Sequence, residues 1–188
     1  MSTPTDVNDL FQDAVNTGDL TPESAAVMLS ADLGAVIQQG FGADVGDVGV
    51  SETLLVTVIM DDSSSISSCG NTQKIIDGHN MTLEALKTSK QKEGILFHTT
   101  YLNKGILSPF VKVENAVPMT RSNYRPSGGT PLYDRVIETL GTVLAKILRT
   151  EDAGVACRSI TLILTDGADT ESRHTAGEVA SVVKNLLK

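Results

Sequence analysis

The 188-residue sequence predicts an α/β fold, a doubly wound and mostly parallel sheet with one antiparallel hairpin at its edge and helices on both faces. Two observations support this prediction. After residue 53, short apolar runs alternate with longer amphipathic stretches, which is the order of strands and crossover helices in a parallel sheet. Two of these runs, 54–60 and 160–165, are nearly continuously apolar, as is typical of strands covered on both faces.

Residues 1–52 are predicted to form a helical segment and a glycine-rich linker. Apolar residues recur at helical spacing in 10–15 and in 29–37, which indicates two or three short amphipathic helices. Thr21-Pro22-Glu23 supplies an N-cap, a first-turn proline and an early acid, so one helix is expected to begin there. Residues 40–49 hold four glycines together with Asp44 and Asp47. A flexible connection is favoured over a calcium-like loop, which would need more carboxylates.

Residues 53–188 form the second predicted unit. The tight turn Asn103-Lys104-Gly105 joins two apolar runs and predicts an antiparallel hairpin. Pro131 suits the first turn of a long helix. In chain order we expect a strand at 54–60, a helix at 72–90, strands at 95–102 and 106–113, a helix at 131–149, a strand at 160–165 and a helix at 176–187.

Composition excludes several classes of partner. The formal net charge is −8, from 23 acidic and 15 basic side chains, so nucleic acid and anionic membranes would be repelled. The longest apolar run is far shorter than the roughly 18 residues of a membrane span, and no secretory signal is visible at the N-terminus. Two cysteines, Cys69 and Cys157, do not make a disulfide framework, so free thiols in a reducing cytoplasm are expected.

Acidic residues follow both of the strongly apolar strands. Asp61-Asp62-Ser63-Ser64-Ser65 leaves the first, and Thr165-Asp166-Gly167-Ala168-Asp169 leaves the last. The carboxyl ends of parallel strands are where such sheets bind ligands. Carboxylates gathered there raise one another's pKa unless a cation compensates, so a bound divalent ion is the economical interpretation. Oxygen ligands without His or Cys favour Mg²⁺, with Ca²⁺ or Mn²⁺ as alternatives.

Three motifs in this order resemble the metal-ion-dependent adhesion site of von Willebrand factor A domains. They are Asp61-x-Ser63-x-Ser65, then Ser127-Gly128-Gly129-Thr130-Pro131-Leu132 at a helix start, then Leu164-Thr165-Asp166-Gly167 after a second apolar strand. The resemblance covers about residues 53–187.

The resemblance implies a role for each matching residue. Ser63 and Ser65 would ligate the ion through their hydroxyls, Asp61 and Asp166 directly or through water, and Thr130 would complete the protein shell. The open position of the ion would then accept an Asp or Glu of a partner protein. It further implies a binding module rather than an enzyme, serving an intracellular complex such as the AAA-type ATPase systems with which bacterial members are associated.

Structural alternatives exist for each of these residues. Ser63, Ser65 and Thr130 could cap the helices that follow them, and Asp166-Gly167 could be a simple turn. Asp62 is expected to face solvent, whereas Asp134 and Asp169 stay ambiguous. Asp134 lies in the first turn of its predicted helix, where an acid is favoured with or without metal. The three histidines are His79, His98 and His174. They are far apart in the sequence, so surface or core roles are favoured over catalysis.

The sequence departs from the family pattern in its number of strands. The usual domain has six, and only four candidates are visible here. Strand 160–165 would then be an apolar sheet edge, which invites pairing. We expect either a shortened chain or a half that completes its sheet with another copy or another protein, or the N-terminal helices packed over that edge.

Two other classes of function are compatible with the sequence. One is a magnesium-dependent phosphohydrolase with Asp61 as nucleophile. Phosphatases of the haloacid dehalogenase type, however, have an acidic residue two positions after the nucleophile, and this sequence has Ser63 there. The other is a structural assembly subunit with a vestigial site.

Overall fold

The computed structural model describes residues 6–30, 33–42 and 51–187. It contains a sheet of four strands, β1 (Glu52–Met60), β2 (Ile95–Tyr101), β3 (Ile106–Lys112) and β4 (Ala156–Leu164). Their order across the sheet is β3-β2-β1-β4. β1 pairs in parallel with β2 and β4, whereas β2 pairs antiparallel with β3. The predicted fold class, including the antiparallel edge hairpin, is confirmed.

Helices cover both faces of this sheet. Short 3₁₀ turns at Lys92–Gly94 and Val113–Asn115 flank the hairpin. The α-helices are α1 (Val7–Thr17), α2 (Pro22–Ser30), α3 (Leu33–Gly40), α4 (Ser64–Ser68), α5 (Thr72–Lys87), α6 (Leu132–Asp152) and α7 (Ala176–Leu186).

The central strand β1 explains why the sheet has two covered faces. Its side chains alternate, so that Val56, Val58 and Met60 pack with α4 and α5, whereas Leu55 and Ile59 pack with α6. All five are nearly or fully buried. A strand buried on both faces can be apolar at every position, and this is why the run 54–60 lacks the polar alternation of a half-exposed strand.

The helices α1, α2 and α3 confirm the prediction of two or three N-terminal helices. They share one apolar cluster with α6 and α7, in which Phe11, Met28 and Ile37 are fully buried. Thr21 precedes α2 as expected, and its hydroxyl accepts a hydrogen bond from Ser24 N (3.3 Å). The linker residues Asp44 and Asp47 lie outside the described residues.

Strand β4 lies at the edge of the sheet, as its sequence predicts, and its apolar side chains are partly exposed in the part of the chain that the structure describes. Ile160 is 49% exposed, and Leu162, Ile163 and Leu164 are each 41–45% exposed. Among the described residues, the alternative of N-terminal helices packed over this edge is not observed, because α1, α2 and α3 pack their apolar faces on α6 and α7. Arg158 at the start of β4 forms an ion pair with Glu52 of β1 (2.6 Å).

The two cysteines are free thiols, as predicted. Cys69 is exposed, and burial raises the pKa of the half-buried Cys157 thiol to about 11. None of the helices in the described part of the chain has the length and hydrophobicity needed to cross a bilayer.

Candidate metal centre

The two acidic segments meet because β1 and β4 are parallel neighbours in register. Met60 pairs with Leu164, and Asp61 N donates a hydrogen bond to Leu164 O (2.9 Å). The Asp61 side chain is fully buried directly above this last pair. Its Oδ1 accepts a hydrogen bond from Ser63 N (2.8 Å), and its Oδ2 accepts one from the Thr165 hydroxyl (2.7 Å). Asp61 therefore joins the two strand ends.

A chain of hydroxyl groups extends from this buried floor to the surface. The Ser63 and Ser65 hydroxyl oxygens are 2.9 Å apart, and the Ser65 hydroxyl donates to Asp166 Oδ1 (2.8 Å). Ser63 is buried, whereas Ser65 and Asp166 are exposed. Four of the five residues proposed from sequence thus form one connected group that opens to solvent.

The capping alternative for Ser63 finds no support. Ser63 occupies the N-cap position of α4, but its side chain makes no capping hydrogen bond there. Its hydroxyl faces that of Ser65 instead. A serine before a helix usually satisfies the first backbone N–H groups, so this orientation toward the acidic group needs a different explanation.

Thr130 lies on a loop that is held against both acidic segments. On one side, Ser127 N donates to Asp62 O (2.7 Å), and Gly128 exchanges hydrogen bonds with Ser64. On the other side, Thr130 N donates to the Thr170 hydroxyl (2.9 Å), and Thr170 N donates to Thr130 O (3.0 Å). Thr130 is buried between these two acidic segments. The N-cap residue of α6 is Pro131 and not Thr130.

The expectation that Asp62 faces solvent is wrong. Its side chain is fully buried, and its Oδ1 accepts hydrogen bonds from Asn103 N (2.8 Å) and Asn103 Nδ2 (3.0 Å). Asn103 Nδ2 also donates to Gly129 O (3.0 Å). Asp62 Oδ2 is buried without a hydrogen-bond partner among the described residues. Asp62 therefore fastens the turn of the β2–β3 hairpin to the loop before Thr130, which requires burial rather than exposure.

Two tyrosines form the neutral floor of the site. The Tyr124 hydroxyl donates to Asp61 O, and the Tyr101 and Tyr124 rings are in contact, with centroids 5.7 Å apart. Burial raises the pKa of both phenols, and the nearby carboxylates of Asp61 and Asp62 raise that of Tyr124 further. Both phenols are consequently protonated at neutral pH, so they add no charge to the acidic group.

Asp134 and Asp169, left ambiguous by the sequence, anchor the segment between β4 and α7. Asp169 accepts hydrogen bonds from Tyr133 N and Ser172 N (both 3.3 Å). Asp134 accepts from the backbone of Arg173 and His174. Partial burial acts to raise the pKa of Asp134, but these amides and the His174 imidazole lower it below its ordinary value. Both acids therefore shape the loop beside the site.

The histidines lie apart from the site, as expected. His79 is buried and its Nε2 is 3.0 Å from the Thr99 hydroxyl, whereas His98 is buried against the Phe110 ring. His174 is partly buried, with Nδ1 2.7 Å from Asp134 Oδ1 and Nε2 3.1 Å from the Ser30 hydroxyl. His174 therefore connects α2 to the loop before α7.

The donors gathered at the strand ends fit a hard divalent cation. Asp61, Asp62 and Asp166 form no ion pair with a basic side chain in the part of the chain that the structure describes. Within those same ranges, no group of three or more His, Cys, Asp or Glu side chains is arranged to hold a metal. A cation bound here would depend on serine and threonine hydroxyls and on water beside two carboxylates, which suits Mg²⁺ and excludes thiolate or imidazole chemistry.

Several residues of this centre were not identified from the sequence. Thr165 binds the Asp61 carboxylate, Asn103 binds Asp62, and Thr170 holds Thr130. The only sequence signal for Thr165 is its position next to Asp166, and Asn103 is typical of a turn.

No protein-family model matches the chain, and no curated protein sequence matches it.

Proposed function

We propose that this protein is a protein-binding module that depends on a divalent metal ion. Ser63, Ser65 and Thr130 would hold Mg²⁺ through hydroxyl oxygens, and Asp61 and Asp166 would hold it directly or through water. The observation that supports this proposal best is the continuous group from Asp61 to Asp166, formed by residues that are about a hundred positions apart in sequence.

The chemistry of the donors determines what such a site would recognise. A magnesium ion held directly by neutral hydroxyls and water, with Asp61 or Asp166 acting through that water, would be only partly neutralised by its direct ligands and would keep an open coordination position. A carboxylate from another molecule can fill that position at the solvent-exposed rim formed by Ser65 and Asp166. The partner would therefore present an Asp or Glu side chain, and no catalytic residue is required.

Resemblance to von Willebrand factor A domains supports the same proposal. The segments that carry this resemblance are neighbours: β1 and β4 end side by side, and residues 127–128 hydrogen-bond to residues 62–64. An intracellular complex, such as one with an AAA-type ATPase, is the setting we propose for the partner.

The arrangement gives less support to a phosphohydrolase. A nucleophilic carboxylate needs an approachable oxygen, whereas Asp61 is fully buried and both of its oxygens accept hydrogen bonds. A vestigial structural site is likewise less favoured, because the fully buried Asp61 carboxylate has no basic side chain to compensate its charge among the described residues.

Magnesium binding is the direct test. We expect Mg²⁺ to bind in calorimetry and to raise the melting temperature of the wild type, because a ligand that binds only the folded state stabilises it, by about 2.7 kcal/mol at a hundredfold excess over Kd. Ser65→Ala and Asp166→Asn, both on the exposed rim, should lose this response.

Ser68→Ala is the matched control, since Ser68 lies on the same short helix and its hydroxyl donates only to Ser64 O (3.0 Å). It should respond to Mg²⁺ like the wild type. Absence of any Mg²⁺, Mn²⁺ or Ca²⁺ binding to the wild type would refute the proposed function.

We further propose that β4 pairs with β4 of a second copy. Residues 159–164 carry no charged side chain, and their apolar members are exposed. Antiparallel pairing would place Arg158, at the start of one strand, beside the acidic end of the other. Pairing would also satisfy the open backbone edge and remove the exposed apolar side chains from water.

A further inference from the structure

A second group of reactive side chains lies away from the candidate metal centre, where α2 meets the loop before α7. The His174 imidazole is placed there between an acid and a serine. Its Nδ1 is 2.7 Å from Asp134 Oδ1, and its Nε2 is 3.1 Å from the Ser30 hydroxyl oxygen. An acid, a histidine and a serine that are joined in this order through these two ring nitrogens have the arrangement of a serine hydrolase.

The Asp134 carboxylate determines which nitrogen of His174 carries the proton. It is held in place by the backbone N–H groups of Arg173 and His174. A carboxylate only accepts hydrogen bonds, so the proton between it and the imidazole belongs to Nδ1. Nε2 of the neutral ring is then a proton acceptor that faces Ser30. The side chains of Asp134 and His174 are 17% and 11% exposed, so both are largely shielded from water.

The Ser30 hydroxyl is the exposed end of this hydrogen-bonded group. Ser30 is the last residue of α2, and its single hydroxyl hydrogen can be donated to Val27 O (2.7 Å) or to His174 Nε2. Rotation about the Cβ–Oγ bond exchanges these two acceptors, so the serine can give its proton to the imidazole without a movement of the backbone. Because Ser30 is exposed, the carbonyl group of a substrate can approach its oxygen.

A groove of about 700 Å³ runs along α2 and α7 from the neighbours of these residues. Val27, one helical turn before Ser30, and Thr175, which follows His174, both line it. Its size is typical of sites that bind small molecules. Gly177, in the first turn of α7, lines it too, so the positive end of the dipole of this helix faces the groove. Negative charge that develops on the carbonyl oxygen of a substrate would be stabilised there.

The side chains along the groove indicate which substrates it admits. Glu23 and Glu178 line it together with one base, Lys184, so an anionic substrate would be repelled. Val27 and Val182 supply apolar surface for an acyl group. The groove therefore suits uncharged esters.

We propose that Ser30 and His174 hydrolyse uncharged carboxylic esters, with Asp134 as a positioning residue. Ser30 Oγ bonds to the ester carbonyl carbon while its proton passes to His174 Nε2. The bond to the leaving alcohol then breaks, and the alcohol takes the proton from Nε2. Water repeats these two steps on the acyl-Ser30 ester, which releases the carboxylic acid and restores the serine. This activity is independent of metal binding.

Reaction with a fluorophosphonate and hydrolysis of p-nitrophenyl acetate test the proposal. The wild type should be labelled at Ser30, where the Oγ–P bond forms and fluoride leaves, and Ser30→Ala should lose both the label and the hydrolysis. His174→Gln should lower kcat/KM for the ester by about 100-fold or more, because the general base is lost. Asp134→Asn should lower it as well, because an amide can donate to Nδ1 and leave the proton on Nε2.

Ser67→Ala is the matched control. Ser67 is an exposed helical serine whose hydroxyl donates to the carbonyl oxygen three residues earlier, Ser64 O (3.0 Å), as that of Ser30 does to Val27 O. It has no histidine partner among the described residues, and Ser67→Ala should behave like the wild type. Since Ser30 is exposed, Ser30→Ala changes only its hydroxyl and should fold normally. A wild type that is not labelled at Ser30, or that hydrolyses the ester no faster than Ser30→Ala, overturns the proposal.

Discussion

The buried imidazole of His98 makes a quantitative prediction about stability and pH. His98 is 2% exposed on β2, stacked on Phe110 with ring centroids 4.8 Å apart. Neither ring nitrogen has a hydrogen-bond partner among the residues that the structure describes. Burial, with a smaller contribution from the Arg135 charge, lowers the pKa of His98 from 6.5 to about 3.

The sign of the effect follows from this lowered pKa. As the pH falls below about 6.5, the unfolded chain binds a proton at His98, whereas the folded protein binds none until the pH approaches 3. Stability is therefore lost across that window. Between pH 7 and pH 5 the loss from this residue amounts to about 2 kcal/mol, a figure that depends only on the unfolded pKa because both pH values lie well above the folded one.

Urea unfolding of the wild type and His98→Leu at pH 7 and pH 5 measures this loss. Other groups titrate as well, so the two proteins are compared by how much their free energy of unfolding falls between pH 7 and pH 5. We expect this fall to be about 2 kcal/mol larger in the wild type than in His98→Leu. Thr57→Val is the control, because Thr57 pairs with His98 on the neighbouring strand and is buried but does not titrate. If His98→Leu loses as much stability as the wild type, His98 does not stay neutral in the folded protein.

Two further predictions concern the sheet edge and the floor of the site. By light scattering, the wild type should be a dimer and Ile160→Lys a monomer. Met81→Lys is the control, because it changes an exposed apolar residue on α5, and it should remain dimeric. A monomeric wild type would contradict the pairing of β4. Tyr124→Phe should lower the free energy of unfolding in urea by about 1–2 kcal/mol, because it removes the hydroxyl that donates to Asp61 O, and unchanged stability would contradict that contribution.

Much of the fold could be predicted because its long elements repeat one pattern over many residues. The central strand and α6 are examples, and each was misplaced at its ends by only a few residues. Helix α4 was missed, because Ser64–Ser68 has five residues and one apolar side chain, too few to show a period. The start of β4 was also missed, since Cys157, Arg158 and Ser159 interrupt the apolar run although they pair with β1.

The candidate site was predictable where one motif supplies both the residue and its place at a strand end. Asp61, Ser63 and Asp166 belong to this group, because the carboxyl ends of β1 and β4 bring them together. Asp62 was placed wrongly because its environment is set by Asn103, which reaches it from a distant turn.

The sheet order has a consequence for how the chain folds. β1 is the central strand and pairs with β4, so Met60 meets Leu164 about a hundred residues later in the chain. At about 5–20 residues per second, a ribosome would need about 5–20 s to synthesise that interval. During this time one edge of the most apolar strand lacks its neighbour, and closing so long a loop makes the final pairing slow. We therefore expect β4 to dock last and the nascent chain to benefit from a chaperone.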